Sequence, residues 1–384
     1  MNDFFFFNPV KIYFGENQIQ NLPKEAKQFG KKILLVYGGQ SIRSTGLYNI
    51  ITDLLNEFTI VELGGVEPNP DVSIVRKGAE ICKMESIELL IAVGGGSVID
   101  ASKWIAAAAC SDYDAWDFFC KKSTVDDALP LITVPTMAAT GSEMNHGGVI
   151  SNKVELKKIG RSSPLLFPKA SFLNPKFTYS VGKYQTVCGS VDIISHIIEV
   201  YFNNQQSLEM LDSIMESLIK TVIKNTVIAI DEPSNYEARA NLMWAASWAI
   251  NGFINGPVKQ GWNCHTIEHE LSARYGITHG HGLAIIIPRW IRYCYTEENK
   301  NVYMKFAKNV LEIDIPDNQL PDIICTELEK LFFCTFGLSS NLKDLNIPSE
   351  ELPQIADAVC GDGIIHGFAE LDNKDVLAIL KMCY

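Results

Sequence analysis

Three short apolar runs in the first 135 residues each stop abruptly at small residues, and helical spacing follows the first two. Lys32–Tyr37 (KILLVY) ends at Gly38-Gly39, Glu88–Val93 (ELLIAV) at Gly94-Gly95-Gly96-Ser97, and Leu131–Val134 (LITV) at Pro135-Thr136. Thr59–Leu63 reads as a further strand. Between the strands, Thr45–Phe58 places Leu47, Ile50, Ile51, Leu54 and Leu55 on one helical face, and Asp71–Met84 and Val98–Ala109 also read as helices. Strands that alternate with helices pair in parallel, with helices covering both faces of the sheet. Such sheets bind ligands beyond the carboxyl ends of their strands, and those ends here carry the small residues that let a backbone approach a phosphate. Ahead of this pattern, Phe4–Phe14 (FFFFNPVKIYF) reads as an extended aromatic segment that packs on the core or pairs with another chain.

After Asn174-Pro175 the pattern changes. From Lys183 to Tyr384 the chain shows amphipathic helices and no convincing strand, with Glu209–Ile230, Tyr236–Ile254 and Trp262–Tyr275 the clearest. Leu283–Ile287 is compatible with a helix running into Pro288. The expected division is an α/β domain over residues 1–180 and an all-helical domain over 181–384, with a ligand cleft between them.

Histidine is concentrated in one stretch of the helical half. Gly261–Gly282 (GWNCHTIEHELSARYGITHGHG) holds four of the chain's seven histidines, His265, His269, His279 and His281. His265 and His269 stand at i and i+4, which places them on one helix face, about 6 Å apart along the axis. The zinc-protease helix needs Glu directly after the first His, but Thr266 is there. Upstream, Asp192 and His196 repeat the i, i+4 spacing within an apolar segment containing Val191, Ile194, Ile198 and Tyr201. Ionisable groups in such surroundings need a partner or a metal. Asp192, His196, His265 and one of His279 or His281 supply three nitrogens and one oxygen, a set that suits a divalent ion and leaves room for a substrate.

The segment Gly94–Asp100 (GGGSVID) follows a strand and opens a helix, so its free N–H groups form an anion site, with Gly95, Gly96, Ser97 and Asp100 as candidate cofactor-binding residues. The dinucleotide fingerprint GxGxxG is not met, because Ile99 holds the third glycine position. Gly38, Gly39, Ser41, Thr136 and Thr140 extend the candidate pyrophosphate-and-ribose groove.

Composition excludes several functions. A net charge of −12 repels a phosphate backbone, so nucleic acid is not an expected partner. No apolar run reaches the roughly 18 residues of a membrane helix. The N-terminal phenylalanines lack the basic region and length of a secretion signal. The ten cysteines form no CxxC pair and read as reduced thiols of a cytoplasmic protein. Cys264 reads as packing.

Together these residues resemble the iron-containing (group III) alcohol dehydrogenases, within them the butanol dehydrogenase or aldehyde reductase branch. The resemblance runs through Asn8–Gly15 (NPVKIYFG), Tyr37–Gly39, Glu67–Pro70 (EPNP) and Gly94–Lys103 (GGGSVIDASK). It continues through Pro135–Glu143 (PTMAATGSE), Leu173–Pro175, Asp192–His196 (DIISH), His265–Leu271 (HTIEHEL) and Thr278–Gly280. It implies a dehydroquinate-synthase-like fold, α/β followed by all-α, and a homodimer built partly on the N-terminal strand. It implies Fe2+ or Zn2+ on Asp192, His196, His265 and His279, with no role for His281. It makes His269 the residue near the nicotinamide that helps move the hydroxyl proton, and assigns Gly95, Gly96, Ser97, Thr136, Thr140 and Lys158 to the cofactor. Asn174 stands where the family usually has Asp, and Met144 where it often has a small residue.

The expected activity is a metal-dependent, NAD(P)-dependent alcohol dehydrogenase or aldehyde reductase for small aliphatic substrates, with Phe253 and Trp262 promising an apolar pocket. NADP(H) is expected over NAD(H). NAD-using relatives carry Asp at the position of Gly39, this turn has no acid, Ser41 and Arg43 can serve a 2′-phosphate, and Glu62 reads as a solvated strand end. A carbon–oxygen lyase of the dehydroquinate synthase kind would want basic residues around 192–200 and 261–282, where only Arg274 qualifies. A non-enzymatic nucleotide-binding module with a structural metal would favour a closed, cysteine-rich ligand set.

Overall fold

Buried runs of Leu, Ile and Val form strands where both faces can be covered, and here they form a single parallel sheet. The computed structural model describes residues 2–204, 208–258, 261–314, 316, 319–361 and 363–384. Along the chain lie β1 (Lys11–Phe14), α1 (Leu22–Ala26), β2 (Lys32–Tyr37), α2 (Ser41–Ser44), α3 (Leu47–Leu54), β3 (Thr59–Leu63), α4 (Val72–Glu85), β4 (Leu89–Gly94) and α5 (Gly96–Ala109). Then come β5 (Leu131–Pro135), β6 (Gly147–Asn152), β7 (Lys157–Ser162), β8 (Ala170–Leu173), α6 (Lys183–Tyr201), α7 (Glu209–Asp231), α8 (Tyr236–Ala249), α9 (Asn263–Tyr275) and α10 (His279–Tyr293). The chain closes with α11 (Lys300–Asn309), α12 (Leu320–Glu329), α13 (Leu352–Cys360) and α14 (Asn373–Met382).

Two compact units emerge. One joins Phe7–Gly182 to Glu232–Asn251; the other joins the residues up to Phe6 to Lys183–Asp231 and Gly252–Tyr384. The first holds a six-stranded parallel sheet in the order β1-β8-β5-β4-β2-β3 and a separate antiparallel pair, β6-β7. Leu35 pairs with Ile91, and Ile91 with Ile132. Because side chains alternate across a strand, Ile33, Leu35, Ile91 and Ile132 enter the core on one face, and Leu34, Val36, Leu90 and Ala92 the core on the other. The register sets Tyr37 beside Val93 and Gly94 beside Pro135, so the small-residue ends of β2, β4 and β5 line up at one edge.

Several elements differ from the sequence expectation. Of the segment Phe4–Phe14, only Lys11–Phe14 is a strand, paired in parallel with β8. Pro9 has no N–H for a ladder, and the Asn8 side chain bonds to Val10 N (3.2 Å), Met144 O (2.8 Å) and Asn251 O (3.2 Å), which ties the chain off before pairing starts. Strand β8 (ASFL) is too short, and β7 (KKIGRS) too polar, to show a strand period. Helix α8, which reads as part of the helical half, packs in the sheet unit. There Ser247 Oγ donates to the buried Glu143 Oε1 (2.5 Å), and a side chain at Gly141 (φ +59°) would collide with Ala246 O. The helix around Leu283 runs through Pro288 to Tyr293.

In the helical unit, α6 is buried along nearly its whole length from Thr186 to Tyr201. Helix α9 stops at Gly276, whose φ of +63° suits a residue without a Cβ. The start of α10 then lies against α6 so closely that a Cβ at Gly280 would overlap Cys188 O. That contact is what carries His279 to Asp192. Among the described residues no helix is long and apolar enough to cross a membrane.

Candidate metal centre and nicotinamide site

The i, i+4 spacing of Asp192 and His196 turns both side chains to one face of α6, and α9 and the first turn of α10 bring His265 and His279 to it. The three Nε2 atoms of His196, His265 and His279 lie 3.6, 3.8 and 3.5 Å from Asp192 Oδ1. These separations are too long for hydrogen bonds. They are close to the roughly 3.4 Å between donors arranged tetrahedrally about one ion at 2.0–2.2 Å. Asp192 Oδ1 and His265 Nε2 are buried with no hydrogen-bond partner, an arrangement that is costly without a metal and ordinary with one. Asp192, His265 and His279 form a metal-binding group of converging donor atoms. The donor set therefore fits a divalent ion. His196 stands beside that group, its ring stacked on that of His265 at 4.9 Å between centroids.

The electrostatics follow from burial. Burial works against the Asp192 carboxylate, but His196, His265 and His279 outweigh it and hold its pKa well below the usual range. Burial pushes His196 down to about 4. Burial also disfavours charge on His265, yet Glu199 and Asp192 raise it to about 9.

Two residues that the sequence analysis did not single out complete the centre. Glu199 Oε2 accepts from His265 Nδ1 while its Oε1 accepts from the backbone N–H of Cys264 (2.7 Å). Glu268 Oε2 accepts from His279 Nδ1 while its Oε1 accepts from Ser272 Oγ. A signal was present: Asp192, His196 and Glu199 stand at i, i+4 and i+7, one continuous helix face. His281 points elsewhere, with Nδ1 3.1 Å from Tyr184 Oη and Nε2 3.0 Å from Ser339 O. His269 is half-buried, its ring 5.4 Å from that of His279. Trp262 sets its ring edge-on to His265 at 4.8 Å, while Phe253 packs against Phe6.

In the sheet unit the candidate turns meet at the strand ends. Thr136 N–H donates to Gly94 O (3.0 Å), and Gly96 lies so near Thr140 that a Cβ there would collide with its hydroxyl. Gly95 and Ser97 are partly exposed at the start of α5, Gly38 takes a hydrogen bond from Gly65 N–H (2.8 Å), and Gly39 and Ser41 face solvent. Lys158 sits in β7 opposite Ser151. Asp100 turns inward: it accepts from Ser142 Oγ (2.5 Å) and Val149 N–H (2.9 Å). Beside it Lys103, fully buried, donates to Ser142 Oγ, Asn145 Oδ1 and Gly147 O at 2.7–2.8 Å.

Comparison with known proteins agrees with this geometry. Residues 9–175 match the model of the iron-containing alcohol dehydrogenases, and residues 186–384 that of the C-terminal part of the Fe-containing alcohol dehydrogenase family. The chain belongs to the iron-containing alcohol dehydrogenase family. It is an oxidoreductase acting on CH–OH groups with a nicotinamide cofactor. It is 43% identical to Probable NADH-dependent butanol dehydrogenase 1 of Bacillus subtilis, over 99% of both chains. It is 33% identical to the NADPH-dependent aldehyde reductase YqhD of Escherichia coli, over 98% of this chain and 97% of that protein. The crystal structure of NADH-dependent butanol dehydrogenase A from Thermotoga maritima superposes with a TM-score of 0.95 at 39% identity, covering 100% of this chain and 99% of that one. The two-part architecture of a parallel-sheet region and a helical region is thus that of the family.

Proposed function

We propose that this family member reduces small aliphatic aldehydes, and oxidises the matching alcohols of the butanol type, at a metal held by Asp192, His196, His265 and His279. The observation that carries the reading is the convergence of three imidazole Nε2 atoms on Asp192 Oδ1. Fe2+ and Zn2+ both suit three nitrogens and one carboxylate. When bound, the ion supplies Lewis acidity to the substrate oxygen, favouring alkoxide character during hydride transfer. The chain's own groups do the rest. His269 passes the hydroxyl proton. Trp262, edge-on to the histidines, excludes water and favours an apolar substrate. Gly38, Gly39, Ser41, Gly95, Gly96, Ser97, Thr136, Thr140 and Lys158 hold the cofactor, and Asp100 supports the turn from below.

For the cofactor we propose NAD(H), in place of the NADP(H) expected from the acid-free turn. In that expectation Arg43 supplies the positive charge for a 2′-phosphate, beside the room at Gly39 and the Ser41 hydroxyl, and Arg43 is paired with Glu62 at 2.9 Å. Glu62 is no bare strand end: Tyr37 and Tyr48 also donate to it, at 2.7 and 2.6 Å. The names of the Bacillus and Thermotoga relatives point the same way, and that of the Escherichia coli relative points to NADPH. We further propose a homodimer, on which the exposed Phe5 and Phe7 bear, and a cytoplasmic location, which the ten free thiols suit.

The test is the loss of 340 nm absorbance when NADH and butyraldehyde meet protein purified without oxygen, with metal analysis of the same sample. Stoichiometric Fe2+ or Zn2+, and turnover that a chelator abolishes, are expected; full turnover in verified metal-free protein would refute the reading.

A further inference from the structure

Each of the two glutamates behind the metal centre engages both of its carboxylate oxygens, and the second donor differs between them. Glu199 and Glu268 have side chains of 0% exposure. A carboxylate only accepts, so each keeps its histidine's hydrogen on Nδ1 and leaves Nε2, the atom that faces Asp192, as the nitrogen whose lone pair a metal would take. The other oxygen of Glu199 receives the backbone N–H of Cys264, in the first turn of α9. That donor cannot reverse. The other oxygen of Glu268 receives the Ser272 hydroxyl, which can rotate to accept instead and whose Oγ lies 3.3 Å from Ile277 O, ready to donate there.

We propose that Glu199 and Glu268 are positioning residues that make His265 and His279 metal donors, and that only Glu199 needs both of its oxygens as acceptors. This rests on the metal site proposed above. In Glu199→Gln one oxygen faces two N–H donors. Either the amide opposes the Cys264 N–H, or His265 moves its hydrogen to Nε2 and loses the lone pair that points into the site. In Glu268→Gln the network closes again: the amide donates to Ser272 Oγ, Ser272 donates to Ile277 O, and the remaining oxygen still receives His279 Nδ1–H. Two isosteric changes of equal charge should therefore differ sharply.

The experiment measures Zn2+ affinity of the full chain by competition with a chromophoric chelator, and the visible absorption of the Co2+-substituted protein. Glu199→Gln should weaken Zn2+ by roughly ten- to hundredfold and alter the Co2+ bands. Glu268→Gln should change the affinity by less than about threefold, as for one hydrogen bond exchanged for another. Glu268→Leu removes the acceptor of His279 Nδ1–H altogether, so it should weaken Zn2+ by roughly tenfold or more where Glu268→Gln does not; this arm decides the matter if Glu199→Gln does not fold. Equal losses in the two Gln variants, no penalty in Glu268→Leu, or unchanged affinity with only a lower melting temperature would overturn the proposal. A wild-type chain that binds no stoichiometric Zn2+ would instead overturn the metal site itself.

Discussion

Arg43 Nη2 lies 2.9 Å from Glu62 Oε2, and the guanidinium also sits over the Tyr48 ring, 3.8 Å from its centroid. The pair stands by the carboxyl ends of β2 and β3, beside the cofactor groove proposed above. Glu62→Gln removes the acid that holds Arg43 and would repel a 2′-phosphate. It should move the ratio of kcat/KM for NADPH over NADH upward by about tenfold, a change of ~1.4 kcal/mol. Gly39→Asp, for which nothing lies within 4 Å of the added Cβ, should move the ratio the other way. An unmoved ratio in both variants would place selectivity elsewhere.

Alanine at Asp192, His196, His265 or His279 should empty the metal site and abolish turnover together. His281→Ala should keep the metal, because its ring nitrogens face Tyr184 and Ser339. Elemental analysis of each variant checks this; an empty site in His281→Ala beside a filled one in His279→Ala would reverse the assignment.

Lys103→Met tests the network under the cofactor turn. Three acceptors lose their donor and the Asp100 carboxylate loses its nearby cation, a cost on the order of 3 kcal/mol. Thermal stability should fall and NADH affinity, read by fluorescence, should weaken. Unchanged values for both would show that the network does not hold the turn.

Alkaline pH should destabilise the protein. Burial pushes the thiols of Cys82, Cys188, Cys325 and Cys383 up to about 12, so the folded chain keeps protons that the unfolded chain releases near its ordinary cysteine pKa of 9. Between those values the unfolded state binds fewer protons, and stability falls as pH rises. Lys103, which burial holds down to about 8, acts oppositely between 8 and its ordinary 10.5, but it is one group against four. The melting temperature should therefore drop between pH 9 and 11; a rise would contradict this. At pH 8 a thiol reagent should reach the exposed Cys110, Cys120 and Cys334 well before these four.

Phe5 and Phe7 are 87% and 60% exposed, while Phe4 and Phe6 pack toward Gly256 and Phe253. The double substitution Phe5→Ser and Phe7→Ser leaves the Asn8 bonds in place and should shift a native dimer toward monomer at micromolar concentration in sedimentation equilibrium. A native chain that already sediments as a monomer would remove the basis for the dimer.

What the sequence determined was local and periodic. The runs KILLVY, ELLIAV and LITV specify strands buried on both faces and TIVEL a further strand, small-residue ends mark where a phosphate can approach, and two i, i+4 pairs put Asp192 with His196 and His265 with His269 on helix faces. Spacing alone left His279 and His281 equivalent, and only the family resemblance separated them. Tertiary structure decided the rest, because it depends on which distant groups meet. The close contact of Gly280 with Cys188 O carries the start of α10 onto α6 and brings His279 to Asp192, while Tyr184 and Ser339 hold His281 away. Helix α8 has the period of any amphipathic helix, and only its docking against Glu143 and Gly141 assigns it to the sheet unit. Arg43 reads as a free cation until Glu62, nineteen positions on, is found beside it. Glu199 and Glu268 read as ordinary helical acids until folding sets each against an imidazole nitrogen, where desolvation makes that hydrogen bond decisive for which nitrogen can bind a metal.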